Sequence, residues 1–60
     1  MDAEQKKLLV GRYVEIRATA KAAGRDETAE EAGELKKIET ELGMNADAIY
    51  AAFAGTYPSP

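Results

Sequence analysis

Three glycines limit what this chain can become. Gly24, Gly43 and Gly55 each close a run of helix-forming residues, and each run opens on a residue able to cap a helix: Asp2, Thr28 and Asn45. Glycine reaches the left-handed conformation that ends a helix without a Cβ clash. Asp2 with Gln5, and Thr28 with Glu31, have the spacing of a capping box, with Asp26 as an alternative cap for the second run. Met44 stands where an apolar contact follows a glycine cap. Asp47 falls in the first turn of the third run, where a negative charge complements the helix dipole. No stretch alternates apolar and polar residues over the length of a strand. The sequence therefore predicts an all-α fold without sheet. Helices cover about 3–23, 29–42 and 46–54 of a single domain spanning 1–55, and a C-terminal tail follows at 56–60.

The faces follow from a rotation of 100° per residue. On the first helix Leu9, Tyr13, Ile16, Ala20 and Ala23 form one stripe, with Val10 and Val14 as its shoulder. The second helix has a narrow stripe of Ala32, Leu35, Ile38 and Leu42. On the third, Ile49 and Phe53 lead, flanked by Ala46, Tyr50 and Ala52. Connections this short suit antiparallel neighbours. The expected assembly is an antiparallel hairpin of helices one and two, with the short third helix folded across its open side.

The core available to this assembly is small. Of the 27 apolar residues, 12 are alanine, and only 15 carry a larger side chain. Such a core supplies roughly 3–5 kcal/mol at best. It leaves no side chains to wall a large enclosed substrate cavity. Cysteine, histidine and tryptophan are all absent. Nucleophilic and acid–base catalysis draw on His, Cys, an activated Ser or Lys, or a buried carboxylate pair. The one serine, Ser59, lies in the tail, and the abundant glutamates fall mainly on a solvated helix face. No acidic loop has the EF-hand spacing. The expectation is a chain that is not an enzyme and has no catalytic, cofactor or metal site. No targeting segment is visible, and no apolar run approaches the ~18–20 residues that span a bilayer. A cytoplasmic protein is expected, with no membrane partner.

Charge divides the chain in two. Residues 1–25 hold six cations, Lys6, Lys7, Arg12, Arg17, Lys21 and Arg25, against Asp2, Glu4 and Glu15, a net +3. Residues 26–42 hold seven acids against Lys36 and Lys37, a net −5. The whole chain carries −3, the opposite of the usual nucleic-acid footprint. Two helices of opposite sign attract each other, and this structural reading stands beside a bipolar surface that docks a charged partner. Lys7, Val10, Val14, Arg17 and Lys21 recur at helical spacing, with Arg25 beyond, and could form a basic face for phosphates or a membrane surface. The structural reading, a face neutralised by glutamates of the second helix, takes precedence over it.

Residues 35–54 resemble the core of a helix-turn-helix unit. A helix ends in Leu42-Gly43, apolar Met44 follows, Asn45 caps the next helix, and Ile49 sits six residues after the glycine. The resemblance implies a tight turn at Gly43, with the apolar positions packing the two helices. Glu39 departs from the pattern, which usually has a small residue four before the glycine. The segment in the recognition position, Ala46 to Ala54, holds no Arg, Lys or Gln to read bases or bind phosphate. The geometry carries over and the DNA contacts do not.

That third helix is the most distinctive feature. Apart from Asp47 it is uncharged, and Ala48, Ala51 and Ala54 lie away from the Ile49/Phe53 face. A helix apolar all round is normally buried all round. Gly11, Ala18 and Ala22 on the first helix, and Ala29 and Gly33 on the second, make similar small patches. The bland counterpart is that alanine is the best helix former and that scattered exposed alanines carry no message. The expected role is a small non-catalytic protein-interaction module: an oligomer subunit, adaptor or inhibitor, of a size that fits a phage or bacterial assembly. Its partner is another protein or a second copy, and its contact surface is Tyr50, Ala51, Phe53, Ala54 and Tyr57. A helix-turn-helix-like DNA-associated protein and an acidic nucleic-acid mimic are the alternatives.

Overall fold

The structure, a computed structural model, describes residues 2–56. They form three helices without a strand: α1 (Ala3–Ala22), α2 (Ala29–Leu42) and α3 (Ala46–Thr56). Local chemistry sets their starts. The Asp2 side chain accepts from the Gln5 N–H at 2.8 Å. Thr28 and Glu31 form a reciprocal capping box, with bonds of 3.1 and 2.9 Å. Asn45 Oδ1 accepts from the Ala48 N–H at 2.9 Å. Each bond satisfies a donor that the first helical turn leaves without an intrahelical partner.

The first two helices end as expected, at glycines with φ of +69° (Gly24) and +65° (Gly43). The N–H groups of Gly43 and Met44 both return to the Glu39 carbonyl, at 2.8 and 3.2 Å. Gly55 behaves differently. It lies within α3 and is absent from the positive-φ residues, so it is no left-handed stop. Glycine permits the left-handed conformation without requiring it, and the helix runs through Gly55 to Thr56.

Helix α1 is the spine. It packs against both α2 and α3, which make only marginal contact with each other. The third helix therefore lies along α1 more than across the hairpin. The core joins Val10, Tyr13 and Ile16 of α1 to Leu35 and Ile38 of α2 and Ile49 of α3. Leu9, Leu42, Met44, Ala46, Ala52 and Phe53 pack around it. Val10, expected on a shoulder, is buried, because α3 covers that side of α1 and brings Ala52 beside it. Ala23 and Ala32, expected on the apolar stripes, are exposed. Ala23 is the cap residue beyond the last turn of α1, and Ala32 is not among the residues packed on the core.

Two glycine substitutions should move stability in opposite directions. At Gly43 an alanine must adopt the left-handed conformation, costing roughly 1 kcal/mol or more. Gly33 is helical and exposed, and a Cβ there meets nothing within 4 Å. Gly33→Ala should therefore stabilise by about 0.5–1 kcal/mol through helix propensity alone. Urea melts of the two variants should shift their midpoints to opposite sides of the parent.

Candidate functional site

The outward face of α3 begins at a tyrosine that α1 holds in place. Tyr13, fully buried in the core, meets Tyr50 edge-on, with ring centroids 6.3 Å apart and an interplanar angle of 83°. The Arg17 guanidinium lies against both rings, 5.9 Å from the Tyr13 centroid and 5.8 Å from that of Tyr50. Arg17 follows Tyr13 by one helical turn, so the two present one ledge to α3. Tyr50 rests on this ledge and remains 39% exposed. Ala51 and Ala54 are exposed on the same outward side, with Asp47 one turn before them.

Of the five residues expected to form the contact surface, the structure groups three. Tyr50, Ala51 and Ala54 are exposed on α3. Phe53 is half-buried and packs against the core, so it supports this face from beneath. Its ring lies on the Ile49 side of the helix, where α1 supplies apolar cover. Tyr57 lies outside the described residues. Leu8 was not singled out, yet it is the most exposed large apolar side chain, at 67%.

A second region lies between α1 and α2. A groove of about 480 Å³ is floored by Leu9 and Ile38 and rimmed by Arg12, Glu34, Lys37 and Glu41, beside Gly33. Its rim is largely self-neutralised. Arg12 donates to Glu34 through Nε (2.7 Å) and Nη2 (3.4 Å), and to Glu15 through Nη1 (3.0 Å). The Arg12 guanidinium holds the Glu34 carboxyl below its usual range. Arg25 reaches Glu31 at 2.8 Å. That bond, with the Thr28 N–H, lowers the Glu31 pKa from 4.5 to about 2. The expected attraction between oppositely charged helices thus takes the form of specific pairs.

Glu39, the residue that breaks the helix-turn-helix pattern, accepts the Tyr13 hydroxyl proton at 2.7 Å. Burial, and then this bond, push the Tyr13 hydroxyl above its ordinary pKa. The sequence held a signal for the pairing, because a tyrosine on a core stripe needs a partner for its hydroxyl. A small residue at position 39 could not supply one.

Among the described residues no group of three or more acidic, His or Cys side chains could hold a metal ion, and no helix is long and apolar enough to cross a membrane. Compared with known proteins, the chain matches no family model, no curated protein and no solved structure.

Two measurements check this electrostatic layout. Glu31 has a folded-state pKa below its ordinary 4.5, so its stabilisation is complete above about pH 4.5 and is lost as pH falls toward about 2. Thermal melts across that window should show a decline that Glu31→Gln makes shallower, with the Glu31 carboxyl titrating near pH 2 by NMR. Tyr13→Phe keeps the ring and strips Glu39 of its donor. It should cost about 1–2 kcal/mol in urea melts, and the loss should shrink in a Glu39→Gln background.

Proposed function

We propose that this chain is a non-catalytic protein-interaction module that docks through the outward face of α3. One observation carries the reading. Tyr50, Ala51 and Ala54 lie exposed on one side of a helix whose only charged residue is Asp47, in a chain that is 32% charged. A tyrosine anchor surrounded by small residues suits a protein contact, since aromatics dominate binding energy and methyl-sized neighbours let another backbone approach. The underlying ledge of Tyr13 and Arg17 and the half-buried Phe53 keep the anchor in one place. Less order then has to be created on binding.

The same composition weighs against a DNA-reading role. The turn at Gly43 to Asn45 has the form that the helix-turn-helix resemblance implies. The exposed side of α3 nevertheless offers a major groove no cation, and Asp47 would face phosphate. An acidic nucleic-acid mimic is also disfavoured, because Glu31, Glu34 and Glu39 are each engaged within the fold.

Ala51→Arg tests the surface. As an exposed substitution it should leave helix content unchanged and alter stability by no more than about 0.5 kcal/mol. In a close-packed interface the same cation is desolvated and overpacked, so association should collapse. Light scattering on the purified chain, then affinity capture with parent and variant baits, reads the outcome. If Ala51→Arg and Ala54→Arg both associate as the parent does, α3 is not the docking face.

A further inference from the structure

We infer that the partner docking on Tyr50 brings a carboxylate to the Arg17 guanidinium, so that this surface selects an acidic segment of another protein. The inference rests on the docking role proposed for Tyr50 and adds the chemistry of what docks there.

The three arginines of this chain are used differently. Arg12 pairs with Glu34 and Glu15, and Arg25 with Glu31, at 2.7–3.0 Å. Arg17 makes no such pair among the described residues. Its guanidinium is placed over the Tyr13 and Tyr50 rings instead. The Tyr13 hydroxyl engages part of this guanidinium, and with five N–H donors an arginine retains others that match a carboxylate in a two-bonded fork. Arg17 is only half-buried, so its edge can be reached from outside, next to the exposed part of Tyr50. Tyrosine and arginine are both enriched among binding hot spots.

The surrounding charges favour a protein carboxylate over nucleic-acid phosphate. Lys21, one turn beyond Arg17, is exposed and adds a second cation. Glu27, in the α1–α2 connection, acts on Arg17 through space without an ion pair, and Asp47 stands on the outward face of α3. A polyanion covering the whole face would meet both acids. A single carboxylate reaching Arg17 and Lys21 covers only part of it.

The test uses the full chain and three capped helical peptides sharing a Leu/Ala framework, with Glu, Gln or Lys at the same polar positions. NMR titrations follow the Tyr50 amide and the Arg17 Nε–H signal. The Glu peptide should bind about tenfold tighter than the Gln peptide, and the Lys peptide more weakly still, with the Arg17 Nε–H signal shifting only for Glu. Arg17→Lys retains the charge and loses the fork, so it should reduce the Glu preference severalfold. Lys21→Gln, at an exposed position, should reduce it less and keeps the test open if Arg17 variants unfold. Equal binding of the Glu and Gln peptides at Tyr50 overturns the carboxylate inference while leaving the docking face standing. No perturbation at Tyr50 by any peptide overturns both. Tighter binding of a random single-stranded oligonucleotide than of the Glu peptide overturns the choice of partner. A solution ion pair of Arg17 with Glu27, seen as slowed exchange of the Arg17 guanidinium protons that Glu27→Gln abolishes, removes the open guanidinium on which the inference stands.

Discussion

Tyr13 is where the three helices are tied together. Its ring fills the centre of the core, its hydroxyl donates to Glu39 of α2, its edge meets Tyr50 of α3, and Arg17 lies over it one turn along α1. A core drawn from 15 large apolar side chains cannot fix helix positions by volume alone. One directional bond and one oriented aromatic contact do what additional side chains do in larger domains. The bond to Glu39 also reaches the next turn. The same residue's carbonyl receives the N–H groups of Gly43 and Met44, so the anchoring of α2 on α1 is coupled to the turn that aims α3.

Charge follows the same division. Arg12 of α1 and Arg25 of the connection meet Glu34 and Glu31 of α2, which joins the net +3 of residues 1–25 to the net −5 of residues 26–42. Exposed pairs of this kind contribute modestly to stability. Their larger effect is on orientation, since α2 in a wrong register places Glu34 away from Arg12. On the α3 side no comparable acids exist, because α3 carries only Asp47. Arg17 therefore rests on aromatic rings. A third helix whose one charge is Asp47 thus presents an apolar face and leaves Arg17 without an ion pair among the described residues.

What could be read from the sequence divides along the range of the interactions. Helix starts and the two glycine stops were legible because capping is decided within four residues: Asp2 with Gln5, Thr28 with Glu31, Asn45 with Ala48. Gly55 misled because glycine permits the left-handed conformation without demanding it. Val10 was placed beside the apolar stripe of α1 and Phe53 beside Ile49, and both lie in or against the core, but the neighbour that covers them was not legible. A helical wheel gives the direction of a side chain but not which neighbour covers it, and α3 lies on the Val10 side of α1, where Phe53 can reach the core. Glu39 was read as a defect in a motif because its partner, Tyr13, is 26 residues away. Of the candidate surface, Tyr50, Ala51 and Ala54 were legible from the wheel. The ledge beneath Tyr50 depends on how α3 meets α1, which no spacing within either helix encodes.

The exposed face of α3 can be traced to the use of one helix as the spine. Three helices that all touch one another close around a core, and each buries more than one side. Here α2 and α3 both lie on α1 and scarcely touch, which gives a flat body of 30 × 29 × 17 Å. In such an arrangement an outer helix has one covered side and one uncovered side. The composition of the uncovered side then depends on what that side must do. Helix α2 fills it with Lys36, Lys37 and Thr40, as a solvated surface requires, whereas α3 fills it with Tyr50, Ala51 and Ala54. Both are outer helices resting on the same spine, so the topology cannot account for the difference. Alanine's helix propensity accounts for two of the three residues, but an exposed tyrosine is only a middling helix former. Its presence follows instead from packing: the ring meets Tyr13 edge-on, with the Arg17 guanidinium beside both, so Tyr50 fastens α3 to the spine while part of it stays exposed.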